Sequence, residues 1–74
     1  MKLTQLHEND LARVVAVEGG PGFRQQLCLR GLCEGTKLRM LSCTHGPVLV
    51  DIKGYTLALG RGMAHRIVVE KVQS

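Results

Sequence analysis

Residues 23–35 read FRQQLCLRGLCEG, and two readings compete for them. Cys28 and Cys33 lie five apart and could open a metal or redox site; alternatively, the leucines and glycines carry the meaning. Phe23 and Leu27 stand four apart, on one helical face, and Pro21 just before them suits a first helical turn. Gly31 then fits the left-handed residue that ends a helix. With Gly31 at C′, Leu32 falls at C″ and Leu27 at C3, the two positions that touch in a Schellman ending. The sequence thus predicts a short helix over about 22–30, stopped at Gly31 and turned into a strand at Glu34-Gly35.

Outward from this stretch the chain alternates. Leu11 to Glu18 (LARVVAVE) is apolar and rich in β-branched residues, which suits a strand, and Asn9-Asp10 before it suits a turn. In Thr36 to Cys43, Leu38 and Met40 share one face and Lys37 and Arg39 the other. Val48, Val50 and Ile52 repeat the pattern opposite Asp51 and Lys53; a turn at Lys53-Gly54 leads to Tyr55, Leu57 and Leu59. The run Arg66 to Val72 sets Ile67 and Val69 together, with Glu70 facing away. A period of two marks strands with one buried face. Gly60 to Ala64 (GRGMA) predicts a second, shorter helical turn. Five short antiparallel strands with a helix after the first predict a mainly β fold, a partly open barrel of the SH3-like kind. With 74 residues and no repeat or linker, residues 1–74 form one domain.

Composition narrows the function classes. Ten Lys and Arg against six Asp and Glu give a net charge of +4, which favours an acidic partner, an anionic surface or nucleic acid. The basic residues are scattered singly, the pattern of a solvated surface. One Phe, one Tyr and no Trp leave no stacking platform for single strands and no aromatic groove for proline-rich peptides. Nucleic acid is therefore disfavoured, and a basic barrel binding it stands as an alternative. No apolar run reaches the roughly 18 residues of a membrane helix. Met1 to Asp10 is polar and lacks the apolar core of a signal peptide, which implies a cytoplasmic location and free thiols in all three cysteines.

The candidate sites follow from residue chemistry. A structural zinc needs about four converging ligands, and Cys28 and Cys33 have no obvious second pair. Free cysteine usually behaves as a small hydrophobe, and that reading is adopted for both. Cys43 and His45, two apart, could share one ion in an extended segment and are the weak metal candidates. No physiological metal or cofactor is expected, though an adventitious zinc ion would suit thiolate and imidazole. A Cys/His metal carrier is a further alternative. Neither a nucleophile–base pairing nor a glycine-rich phosphate loop is readable, so the chain is not expected to be an enzyme or to take a small-molecule substrate. What remains is surface. Leu29 either packs on the barrel or stands outward between Arg24 and Arg30 as a modest docking face. Unpaired strand edges could also join two copies into a homo-oligomer.

The ordered run Gln26-Leu27, Gly31-Leu32 and Gly35, followed by the apolar strand TKLRML, resembles the helix–turn–strand signature of the ferrous iron transport protein A (FeoA) family. The likeness extends through the opening LTQLHENDLARVVAV and through Gly46-Pro47, Ala64, Ile67 and Val69. Two departures stand out: Arg30 replaces the second leucine of that signature, and Glu34 replaces the usual proline before Gly35. The resemblance implies a small cytosolic SH3-like barrel that accompanies a membrane ferrous iron permease bearing a cytosolic G-protein domain. It implies an accessory or regulatory role by protein–protein contact, without a chemical step.

Overall fold

Leu38 and Met40, then Val48, Val50 and Ile52, then Ile67 and Val69 all turn inward in the computed structural model, which describes residues 1–44 and 46–72. The period-two pattern therefore builds the core it predicts. Strand β1 (Leu11–Val17) leads to helix α1 (Pro21–Leu29), then β2 (Lys37–Ser42), β3 (Val48–Ile52), β4 (Tyr55–Leu59), the single turn α2 (Arg61–Ala64) and β5 (Ile67–Lys71). All pairings are antiparallel, in the order β4-β3-β2-β1-β5. The helix starts one residue earlier than expected, because Pro21 occupies the first helical position, and Arg30 caps it.

Two irregularities curl this sheet into a partly open barrel. Register shifts interrupt β1 between Val14 and Ala16 and β2 between Met40 and Ser42. An extra residue on one strand bends it and sharpens its twist. The β3–β4 hairpin closes at Lys53-Gly54, both with positive φ (50° and 94°). That is the backbone a two-residue primed turn requires, and the Asp51 carboxylate accepts the Gly54 N–H at 3.1 Å.

Two segments depart from the sequence reading. The first ten residues read as polar, yet Leu3 and Leu6 are both buried in the core. A 3-10 turn at Leu3–Gln5 delivers them, braced by the Lys2 N–H donating to Gln5 Oε1 at 2.7 Å. The Val69 N–H donates to the Met1 carbonyl at 2.7 Å, and Lys2 bridges to Val68, so this segment lies along β5. Second, Tyr55 does not join Leu57 and Leu59 inside but is exposed. β4 ends the sheet order, and the tyrosine instead serves the end of α1.

Candidate docking face at the end of α1

Helix α1 is nine residues long and fully buries one side chain, Leu27. Isolated helices so short are marginal in water. This one is held by its ends. Pro21 at the first position needs no hydrogen-bond partner for its nitrogen. At the other end the Leu32 N–H donates to the Leu27 carbonyl and the Gly31 N–H to the Cys28 carbonyl, both at 2.9 Å. These are the two bonds of the Schellman motif, and Leu27 and Leu32 are both wholly buried behind them. Gly31 takes φ +103°. It also faces Tyr55, whose hydroxyl donates to the Arg30 carbonyl at 2.6 Å. A Cβ on residue 31 would overlap that hydroxyl oxygen.

The ending decides what α1 shows to solvent. Leu29 is 81% exposed, the most exposed large apolar side chain among the described residues. It does not replace the leucine that Arg30 displaces; Leu27 and Leu32 fill the core and both 29 and 30 point outward. Arg24 pairs with Glu34 at 3.3 Å, so the glutamate that stands where the signature has proline ties the turn back to the helix. Of the expected trio, Leu29 and Arg30 therefore lie together at the helix end, while Arg24 is engaged one turn back. Tyr55, 47% exposed and bonded to the Arg30 carbonyl, adds a second apolar surface that the sequence did not assign to this face. Gly35 has φ +91° and open space around it, which makes it a backbone device alone.

The expectation of three free thiols is corrected here. Cys28 and Cys33 form a disulfide with Cα atoms 4.3 Å apart. The physical reason is the Schellman turn itself, which folds residue 33 back over the last helical turn and brings the two Cβ atoms together. Composition speaks of the redox compartment and cannot see that geometry. Closing a loop of about six residues contributes on the order of 2 kcal/mol in the chain-entropy account. A Cys28→Ser/Cys33→Ser variant is expected to lose about that much in urea unfolding yet keep its far-UV spectrum, because the Schellman bonds are backbone bonds. Collapse of the helical signal in that variant would show that the disulfide, rather than the backbone, ends α1.

Cys43 is free and half-buried. Its thiol lies 3.6 Å from the Thr4 carbonyl, and Arg61 donates to its own carbonyl, so the sulfur serves the N-terminal segment rather than facing solvent. Its proposed metal partner, His45, lies outside the described residues. Among the described residues no group of three or more His, Cys, Asp or Glu gathers to hold a metal. The shifted carboxylates sit elsewhere. The His7 N–H, donating at 2.8 Å, and then Lys71 hold Asp10 below the usual carboxylate range. A hydrogen bond from Lys2 does the same for Glu18. No helix among the described residues is long and apolar enough to cross a membrane.

A curled five-stranded sheet, one short helix after the first strand and a surface of exposed apolar points define a small SH3-like barrel domain. The chain belongs to the FeoA domain family, whose model matches residues 1–71. It is similar to the FeoA protein of Chlorobium tepidum, with 33% identity, a TM-score of 0.88, and coverage of 99% of this chain and 71% of that one. The zinc-complexed FeoA of Stenotrophomonas maltophilia, described as a prokaryotic SH3 domain protein, superposes with a TM-score of 0.79 at 26% identity, covering 95% and 89% of the two chains. An Fe(2+) transport protein A/Fe(2+) transporter FeoB fusion protein of Porphyromonas gingivalis is 34% identical over 76 residues. The match takes in all of this chain but 9% of the fusion.

Proposed function

We propose that this chain is an accessory protein of ferrous iron uptake that acts by binding the cytosolic part of the ferrous iron permease. The observation that carries this reading is the fusion relative, in which a domain like this one is joined to the transporter FeoB in a single polypeptide. A covalent link replaces a bimolecular encounter with a high local concentration, which is useful where two parts work in contact. The exposed Leu29 beside Arg30, with Tyr55 close by, supplies the contact face. A small number of desolvated apolar and arginine side chains generally carries most of an interface's energy. The chain performs no chemical step in this reading, requires no cofactor, and leaves nucleotide chemistry to its partner.

A strain lacking this chain tests the proposal. Ferrous uptake is expected to fall on deletion and to return with the wild-type chain. Leu29→Glu, which places a charge at the centre of the proposed contact while leaving the core untouched, is expected to restore less than a tenth of the lost uptake, with an unchanged circular dichroism melt. Normal uptake in the deletion strain would refute the accessory role; full rescue by Leu29→Glu would move the contact off α1.

A further inference from the structure

The distribution of charge points to a second contact. Lys2, Arg13, Arg24 and Lys71 each lie within ion-pair distance of a carboxylate. Arg66 lies over the Phe23 ring, 5.3 Å from its centroid, and Arg61 donates to the Cys43 carbonyl. The cations without such an engagement among the described residues are Arg30, Lys37, Arg39 and Lys53. Lys37, Arg39 and Lys53 line one groove of about 420 Å³ beside β1, β2 and the β3–β4 turn. Half-buried Leu11 and Val72 contribute apolar surface to it. Asp51, opposite Arg39 in the β2–β3 pairing, is the one acid in its lining; one of its oxygens accepts the Gly54 N–H, and its single charge stands against the three cations.

We infer that this groove receives an acidic segment of a partner polypeptide that also carries an aliphatic side chain. The cations would meet the carboxylates while the aliphatic group settles against Leu11 and Val72. A nucleic acid fits less well, because the lining offers no aromatic ring on which a base could stack. The inference rests on the permease reading for the partner's identity, and the structure connects the two faces. A second groove shares Lys37 and Lys53 and runs along Glu34 to Thr36, the turn that follows α1. Lys53 itself is two residues from Tyr55, which is bonded to the end of that helix. One partner can therefore engage Leu29 and continue into the basic groove.

The test compares wild type, Leu29→Glu and Lys37→Glu/Lys53→Glu for binding to the purified cytosolic part of the permease. A parallel NMR titration of this chain uses a capped peptide of alternating Glu and Leu, its Glu→Gln counterpart, and a dodecamer of thymidine. Both lysines are exposed, so charge reversal leaves the core intact. The inference predicts that the double variant binds the permease part at least tenfold more weakly, and that salt weakens the wild type more than the variant. It also predicts that the Glu-Leu peptide shifts the amides of residues 37–39 and 53, with the Gln peptide at least tenfold weaker. Unchanged affinity of the double variant for a permease part that the wild type binds overturns the groove and leaves the permease reading standing. If the wild type does not bind the permease part, that reading fails, and the peptide shifts alone decide the groove: shifts at 37–39 and 53 uphold it, and their absence overturns it. Tighter binding of the oligonucleotide than of the peptide overturns it as well.

Discussion

Gly31→Ala is expected to destabilise the domain by roughly 2–4 kcal/mol, lowering its melting temperature on the order of 15 °C. Two costs combine. An alanine at φ +103° is held in a backbone region that L-residues rarely adopt, which costs about 1–3 kcal/mol. Its Cβ also overlaps the Tyr55 hydroxyl, so the ring must swing away and surrender its bond to the Arg30 carbonyl. A net hydrogen bond is worth about 0.5–1.5 kcal/mol. Gly35→Ala separates the two effects, since Gly35 shares the positive φ but has nothing within 4 Å of the added Cβ. It should cost the backbone share alone. In a Tyr55→Ala background the overlap is gone, and Gly31→Ala should then resemble Gly35→Ala. If Gly31→Ala melts with Gly35→Ala in the wild-type background, the tyrosine contact has no energetic weight.

That contact also marks where sequence reading stops. Gly31 as a helix stop, with Leu27 and Leu32 meeting behind it, is legible because the Schellman motif is local: five or six consecutive residues define it. The strands are legible for the same reason, through alternation of neighbours. Tyr55 approaching residue 31 is a contact across twenty-four residues, fixed by how the β3–β4 hairpin lies against the end of α1. Nothing local announces it. Leu3 and Leu6 stand three apart, an available signal of a helical turn, but the polar residues around them make the segment read as surface. The basic groove is half legible. Lys37 and Arg39 alternate on one strand face, whereas Lys53 reaches them through the β2–β3 pairing and the hairpin turn. Counted along the chain, the cations look scattered; in space three of them converge.

The same helix should separate stability from binding at two leucines two residues apart. Leu27→Ala removes the one fully buried side chain of α1 and opens a cavity against Leu32 and the sheet. Leucine-to-alanine changes at such sites cost about 2–5 kcal/mol, the spread reflecting how far the surroundings collapse. A domain of this length has on the order of 4–11 kcal/mol of total stability, so the loss would be a large fraction of the whole. Because α1 is otherwise held by its termini, its amides should lose exchange protection before those of β1 and β5, which pair along most of their lengths. Leu29→Ala, at a side chain already in water, should stay within about 0.5 kcal/mol of wild type. Urea unfolding followed by circular dichroism measures both, with equal slopes required for the comparison. A cost under about 1 kcal/mol for Leu27→Ala would mean that α1 is not anchored through the core, against the usual range for buried leucine. Its position, and with it the presentation of Leu29, would then depend on the disulfide and on Tyr55.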